Sequence, residues 1–222
     1  MDPKPKLAPS DRTRVRRVPQ RAAYDRATIY AILDEALSCH VGLLHAEQPI
    51  VIPTIHWRVG EELYLHGSAA SRMLEQGGDG APLCVTVTLI DGLVFARSAF
   101  HHSMNYRSVV ILGRARLVSE RAEKLAALTA LVNRFAPGRA ERVRAPSELE
   151  LKATAVLALP IAEASAKVRT GGPNDDPEDL TIPVWAGVVP VRLGAFAAEV
   201  AEPVSLGELP PRLGSPFADA LS

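Results

Sequence analysis

The chain has 222 residues, of which 47% are hydrophobic and 23% charged, and its formal net charge is zero. A chain of this composition can bury a sizeable core, which excludes an intrinsically disordered protein. No apolar run approaches the roughly 18 residues that a membrane-spanning helix needs. The two cysteines, Cys39 and Cys84, show no ligand spacing and are typical of reduced thiols, so the sequence predicts a cytoplasmic protein.

The first 22 residues form a basic arm. They carry seven Lys or Arg against two Asp, a net charge of +5, which leaves −5 on the rest of the chain. Four prolines in the arm favour a solvated tail. No basic stripe with interleaved aromatic residues follows, so nucleic-acid binding is the weaker interpretation. The arginine pair at 16–17 lacks the apolar segment that an export signal requires.

A helix is predicted first, at residues 24–38, where Ile29, Ile32 and Leu33 follow helical spacing. Alternating and β-branched segments come next and predict strands at 40–46, 49–59, 62–67, 82–98 and 108–119. Within the fourth of these segments, Asp91-Gly92 is a strong signal for a hairpin turn.

The later elements mix helices and strands. Three helical segments are predicted by their spacing and their capping or stop residues, at 68–76, 120–138 and 146–154. Strand-like alternation returns on both sides of a polar loop (170–179), at 155–169 and 184–196.

Short strands joined by hairpins, with helices at the corners, predict a mainly β fold. The expected architecture is a small antiparallel barrel with flanking helices. We expect this domain to cover residues 23–196, between the arm at 1–22 and a Pro- and Gly-rich tail at 197–222.

Six histidines raise the question of a metal site. His101 and His102 are adjacent, so their side chains diverge. His56 and His66 lack Asp or Glu partners at ligand spacing, so no metal is expected. The chain also lacks a G-x-S-x-G elbow and a P-loop, and neither cysteine has a recognisable partner. Nucleophilic catalysis is therefore not expected either.

An anion site is the stronger signal. Residues 64–73 leave a predicted strand and enter a helix, and they offer free backbone N–H groups together with His66, Ser68, Ser71 and Arg72. Hydroxyls, a guanidinium and helix-start amides are a common way to hold a phosphate. The alternative interpretation is an ordinary capped helix with a solvated arginine.

Five blocks of the sequence resemble, in order and spacing, the pyridoxamine 5′-phosphate oxidase-like superfamily. They are PIVIPTIH (49–56), LYLHGSAASR (63–72), VFARSAFHHSMNYRSVVILGRA (94–115), SAKVRTGGP (165–173) and VWAGVVP (184–190). Within the superfamily, the chain is most similar to a flavin-nucleotide-binding branch related to the nitroimidazole-resistance flavoproteins. The resemblance covers residues 12–196. It implies an FMN-binding, Greek-key-like split β-barrel that forms a homodimer, with FMN in two symmetric grooves between the subunits.

The resemblance also implies which residues bind the flavin: Pro53, Thr54, His66, Gly67, Ser68, Ser71, Arg72, Tyr106, Arg107, Ser108, Val109 and Trp185. Tyr106, His101 and His102 are candidate hydrogen-bond donors to the flavin ring. The chain departs from authentic oxidases in that Ser108 replaces a glutamine and two flavin-contacting lysines are absent. The group that binds the substrate phosphate in the oxidases also has no clear counterpart, so oxidation of pyridoxamine phosphate is not expected.

The leading hypothesis is an FMN-dependent oxidoreductase that acts on an unidentified small molecule. The flavin would supply the hydride chemistry, and the protein would bind and orient it. Two alternatives stay open. The first is a non-catalytic flavin or haem carrier or sensor, with His45, His56 or His66 as haem ligand. The second is use of the deazaflavin F420 in place of FMN.

Overall fold

The computed structural model of the protein describes residues 6–195. Its β-strands are Ala22–Ala23 (β1), Ser38–His45 (β2), Gln48–Val59 (β3), Glu62–Ser68 (β4), Pro82–Phe95 (β5), Ser103–Arg114 (β6), Arg116–Leu117 (β7), Thr154–Pro160 (β8), Ala164–Arg169 (β9) and Gly187–Pro190 (β10). Its α-helices are Arg26–Glu35 (α1), Arg72–Gly78 (α2), Arg121–Phe135 (α3) and Glu148–Ala153 (α4). The protein is mainly β with helical additions, as predicted.

The described strands form one antiparallel sheet in the order β1-β9-β6-β5-β2-β3-β4-β8-β7, with β10 added beside the end of β5. Strand β3 is shared by two halves of this sheet. Its first part, up to Ile55, pairs with β2, and its last part, from His56, pairs with β4. The two half-sheets therefore diverge from β3.

Helix α1 closes one side of the sheet because its apolar stripe faces the strands. Ile29, Ile32 and Leu33 are at most 1% exposed and belong to the main core. The helix begins after Asp25, whose side chain accepts a hydrogen bond from the backbone N of Thr28 at 2.8 Å. This cap satisfies one of the free N–H groups at the helix start.

The hairpin predicted at Asp91-Gly92 is wrong. Strand β5 continues through this point with a bulge between Ile90 and Gly92, and it stays paired with β6 on both sides of the bulge. Its opposite edge changes neighbour here, from β2 to β10. A Cβ on Gly92 would lie 2.8 Å from Cγ1 of Val188. Glycine is therefore needed for the close approach of β10, and not for a turn.

The strand-like segments near the C-terminus also differ from the prediction. Residues 155–169 form two strands, since the chain leaves the sheet after Pro160 and re-enters it at Ala164 in the other half-sheet. Strand β8 is buried on both faces and is followed by further apolar residues, so the sequence pattern could not show the break. The last strand is shorter than predicted, because β10 covers only Gly187–Pro190.

The basic arm is not a solvated tail over the part that the structure describes. Leu7 and Thr13 are 6% and 3% exposed, β1 pairs with β9, and Arg12 forms an ion pair with Glu163. The arm packs because Leu7 joins the main hydrophobic core and Ala22 pairs with β9 at the edge of the sheet. Residues 1–5 and the tail predicted at 197–222 lie outside the described residues.

Two further features bear on the predicted location. Among the helices in residues 6–195, none is long and apolar enough to cross a membrane. Cys39 and Cys84 are free, and burial raises the pKa of Cys39 to about 12, so that thiol is unreactive. The cytoplasmic location stays a prediction.

Candidate functional site

Strands β3 and β4 separate beyond the pair formed by His56 and Leu65. From there, residues 53–55 of β3 pair only with β2, and residues 66–68 of β4 pair only with β8. Each strand thus turns an unpaired edge toward the other. We call this opening, between residues 53–55 and 66–68, the split. It is lined by five of the predicted residues: Pro53, Thr54, His66, Gly67 and Ser68.

The corner between β4 and α2 carries two free anion-binding groups at one end of the split. The carbonyl of Ser68 accepts a hydrogen bond from the N–H of Ser71 at 2.9 Å, which places Ser71 directly before α2. The Ser71 side chain makes no capping hydrogen bond. The exposed guanidinium of Arg72 makes no hydrogen bond or ion pair within residues 6–195. A hydroxyl and a guanidinium without protein partners are suited to an anion.

Three aromatic rings of β3 and β4 contact one another next to this corner. Trp57 stacks on Tyr64 with ring centroids 5.7 Å apart and meets His66 edge-on at 5.5 Å. Burial lowers the pKa of His66, so its imidazole is neutral at pH 7. Nδ1 of His66 and Nε1 of Trp57 are buried and have no partner among the described residues. Since buried polar groups nearly always have a partner, the half-buried His66 offers a position for a polar ligand in the split, whereas Trp57 is 1% exposed and packs with Ala127 and Leu131 of α3.

His56 lies close by but has a structural role. It is fully buried, and its Nε2 donates to the carbonyl of Leu33 at 3.0 Å. Burial, together with the nearby charge of Arg134, lowers the pKa of His56 to about 4. Arg134 itself donates to the carbonyls at the end of α1, those of Leu33, Asp34 and Ala36. His56 and Arg134 therefore fix α1 to β3 and α3.

We expect His56 to make the free energy of unfolding fall as the pH is lowered from 6.5 to 4. The unfolded chain takes up a proton on this histidine near pH 6.5, whereas the folded chain resists protonation down to about pH 4. The contribution is fully present above pH 6.5, and the loss reaches about 3 kcal/mol at the low end of the window. Urea unfolding at several pH values measures it. A His56→Gln variant keeps a donor for Leu33, and its free energy of unfolding should fall by about 3 kcal/mol less between pH 6.5 and 4. An equal fall in the two proteins would contradict the prediction.

The predicted residues on β6 lie far from the split of the same chain. A row of cross-strand partners starts at Pro53, passes through β2 and β5 and ends at Val110 of β6. Three inter-strand steps separate its ends, or about 14 Å. Ser108 lies on the same outer face as Pro53, whereas Val109 is 1% exposed and faces the core. Within one chain, the structure does not bring Tyr106, Ser108 and Val109 to the split.

Trp185 packs beside the end of β5, near His102, which directly precedes β6. It is 65% exposed, and its ring centroid is 5.7 Å from that of Phe95. The Phe95 ring in turn meets His102 edge-on at 5.8 Å. This group is therefore also separate from the split of the same chain.

Arg107 is bound by two carboxylates. Its guanidinium donates to Glu35 at 2.5 and 2.8 Å and to Asp91 at 2.6 and 2.9 Å. These hydrogen bonds, first those to Glu35, raise the pKa of Arg107 above its usual value. The three side chains form one wall of a cavity of about 650 Å³, which residues 190–193 close from the other side. A flavin contact from Arg107 stays a prediction, because its donors already have partners.

Replacing Arg107 by alanine should lower the free energy of unfolding by about 2–3 kcal/mol, because two partly buried carboxylates are left facing each other. Urea unfolding at pH 7 measures the loss. The matched control is Arg121→Ala. It breaks an ion pair with Glu148 that is 63% and 74% exposed, so the unfolding midpoint should not change. Similar behaviour of the two variants would show that the Arg107 cluster does not stabilise the fold.

Comparisons with known proteins decide the family. A family model described as pyridoxamine 5′-phosphate oxidase matches residues 25–168, more than half of the chain. The chain belongs to this family. The resemblance predicted from the sequence is thereby confirmed. A comparison with curated proteins finds no match.

Solved structures show the same fold. The flavocytochrome Anf3 from Azotobacter vinelandii is 44% identical over 97% of each chain, with a TM-score of 0.85. The FAD and haem binding protein from Mycobacterium smegmatis is 38% identical over 86% of this chain and 94% of its own, with a TM-score of 0.82. A 5-nitroimidazole antibiotic resistance protein from Bacteroides thetaiotaomicron is 22% identical over 66% of this chain and 86% of its own, and its TM-score of 0.55 shows a shared fold. The predicted split-barrel class is confirmed.

In this member of the pyridoxamine 5′-phosphate oxidase family, the polar loop at 170–179 is fixed to the start of β6. Arg97 pairs with Asp175 at 2.6 Å, and the Asp175 side chain is only 3% exposed. Asn105 donates to the carbonyl of Gly171 at 3.1 Å and accepts a hydrogen bond from Arg169. The sequence pattern predicted a plain loop here, because Gly, Pro and Asp are typical of turns. Two arginines could have indicated that this loop is fixed: Arg97, just after β5, and Arg169, the last residue of β9.

Proposed function

We propose that this protein is a flavin-dependent oxidoreductase acting on a small molecule, with a flavin phosphate at the corner between β4 and α2. Two relatives that match most of the chain are named a flavocytochrome and an FAD and haem binding protein. The observation that carries the proposal is local. The free Ser71 hydroxyl and Arg72 guanidinium lie at one end of the split, which also contains the buried, unpartnered Nδ1 of His66.

The residues of the split have distinct tasks in this proposal. A bound flavin supplies the electron and hydride transfer. Arg72 and Ser71 donate hydrogen bonds to the phosphate and so fix one end of the cofactor. His66 is neutral because burial lowers its pKa, so it adds a hydrogen-bonding group without adding charge. Trp57, which stacks on Tyr64, contacts the His66 ring edge-on and so restricts its orientation.

FMN is the form of flavin that we propose. The corner between β4 and α2 offers one cluster of free donors, which suits the single phosphate of FMN. FAD carries two linked phosphates and would need more donors beside this corner. Acid extraction of the bound flavin followed by chromatography distinguishes FMN from FAD.

We also propose that the protein is a homodimer. The outer face of β2 and β3 exposes large apolar side chains, among them Leu44 at 67% and Val51 at 65%. A second copy related by two-fold symmetry would cover the same face on both chains. It could also bring its own β6 residues, such as Ser108, to a split that lies about 14 Å from the β6 of the same chain.

A haem is the second candidate cofactor, and it would make the protein a flavin–haem electron carrier or sensor. The names of the two relatives favour it. Of the three histidines predicted as ligands, His56 does not fit, because it is fully buried and its Nε2 is bonded to Leu33. His45 and His66 are partly exposed, so their imidazoles are accessible to a ligand.

The test is the visible spectrum of the purified full-length protein, before and after addition of FMN. We expect the two absorption bands of an oxidised flavin, one flavin per chain, and bleaching by dithionite or by NADPH. Bleaching by NADPH followed by reoxidation with an added acceptor supports an oxidoreductase, whereas dithionite bleaching alone supports a carrier. A deazaflavin would lack the flavin band in the blue. A protein that neither contains nor takes up a flavin would overturn the proposal.

A further inference from the structure

His102 differs from the other histidines in the state of its ring. Its Nδ1 lies 3.0 Å from the carbonyl oxygen of Ser98. A carbonyl can only accept a hydrogen bond, so Nδ1 carries a proton, and the lone pair of the neutral ring is then on Nε2. The side chain is exposed, which leaves Nε2 accessible. An imidazole anchored through one nitrogen and open at the other is the usual arrangement of a metal ligand.

The other histidines lack this combination within the described residues. In His56 and His101, Nε2 is already used, by the carbonyl of Leu33 and by Asp176 respectively. In His45, Nδ1 lies 2.7 Å from the amide nitrogen of Gln76 and accepts its hydrogen bond, so the ring proton is on Nε2. The rings of His40 and His66 have no hydrogen-bond anchor. A planar macrocycle also needs Nε2, because Nδ1 is crowded by the Cβ of the side chain.

The surroundings of His102 suit a large flat apolar ligand. Phe95 meets the His102 ring edge-on, and Trp185 lies beside Phe95. Phe100 is 89% exposed and Trp185 65% exposed, and Met104 adds a further apolar side chain at 41%. Exposed apolar patches of this kind usually mark binding sites. The patch is also rigidly built, because Arg97 and His101, on either side of Ser98, are bonded to Asp175 and Asp176 of the polar loop.

We propose that His102 is an axial ligand of a haem iron through Nε2, with the ring of the haem lying over Phe95 and Trp185. The inference rests on the haem candidate of the proposed function and extends it to a residue that was not among the predicted ligands. The hydrogen bond to Ser98 fixes the tautomer and orientation of the imidazole, so the neutral ring presents its Nε2 lone pair to the iron.

The experiment is a titration of the full-length protein with ferric haem, followed by the Soret band and by low-temperature electron paramagnetic resonance. Three proteins are compared: the natural one, His102→Ala, and His40→Ala, which also removes an exposed histidine of the sheet. We expect His102→Ala to bind haem about tenfold or more weaker and to lose the histidine-ligated spectrum. Added imidazole should restore that spectrum in His102→Ala. His40→Ala should behave as the natural protein.

The outcomes separate this inference from the flavin proposal. Urea unfolding of each variant is followed in parallel, and a cooperative transition shows that the His102→Ala protein is folded. FMN is titrated into the natural protein alone as a separate test of the flavin proposal. If the natural protein binds haem and His102→Ala keeps the same ligation spectrum, His102 is not the ligand. If the natural protein binds no haem, both the haem candidate and the role of His102 fail, and the flavin proposal is unaffected.

Discussion

Replacing Ser71 and Arg72 together by alanine is expected to weaken FMN binding by a factor of about 100. One charge-assisted hydrogen bond and one hydroxyl hydrogen bond to a phosphate together contribute about 3 kcal/mol. The free energy of unfolding should change little, because the Arg72 guanidinium and the Ser71 hydroxyl make no hydrogen bond within the described part of the chain. Quenching of FMN fluorescence or calorimetric titration measures the affinity.

Riboflavin provides a sharp control for this prediction, because it is the same flavin without the phosphate. The natural protein and the double variant should bind riboflavin with equal affinity, since the lost groups contact only the phosphate. Arg142→Ala is the matched protein control. Arg142 is exposed and its side chain has no partner among the described residues, so its loss should leave FMN affinity unchanged. An equal loss of FMN and riboflavin affinity in the double variant would mean that the phosphate binds elsewhere.

Local features of the fold were predictable from the sequence. The helix at 24–38 was indicated by the spacing of Ile29, Ile32 and Leu33, and these residues do face the core. The helical turn at 146–154 is formed as α4, with a capping box between Ser147 and Glu150. These signals lie within a few residues of each other, so a single sequence contains all the information that determines them.

Features that depend on distant pairing were not predictable. Asp91-Gly92 has the composition of a hairpin turn, but the end of β5 is held by β10, which lies almost a hundred residues later in the chain. Similarly, nothing near Arg107 indicates that it is neutralised by Glu35 at the end of α1 and by Asp91 at the bulge. The flavin contact at Arg107 was implied by the family resemblance of the surrounding segment, which contains no information about these two partners. Partners from other elements determine whether a charged side chain is free.

The candidate site shows the same division. Ser68, Ser71 and Arg72 lie within one turn of chain, and the sequence placed them correctly at the junction of a strand and a helix. Residues 53–55 lie near them only because β3 and β4 separate at the pair formed by His56 and Leu65. This separation depends on the pairing of four strands. The residues on β6 do not join them within one chain. The predicted binding set therefore becomes a single site only if a second chain completes it.

If the proposed homodimer forms through the outer face of β2 and β3, introducing charges on this face should remove both the dimer and tight flavin binding. In a Leu44→Asp Val51→Asp variant, two-fold symmetry places four unpaired carboxylates in an apolar interface. Dimer affinity should fall by about 1000-fold, or about 4 kcal/mol, because each buried charge lacks a partner. Sedimentation velocity at micromolar concentration should show a monomer, and FMN affinity should fall with it. Both positions are more than 60% exposed in one chain, so the monomer should stay folded.

Leu149→Asp is the control, because it changes a leucine that is 77% exposed on α4, outside the sheet face. This variant should remain dimeric and bind FMN normally. If the double variant is monomeric but binds FMN as tightly as the natural protein, one chain holds the flavin alone, and the β6 residues of a partner are not needed. If the double variant stays dimeric, the interface lies on another surface. The roles of Ser108 and Trp185 in the site would then need a different geometry, since the outer face was the route by which a second chain reached the split.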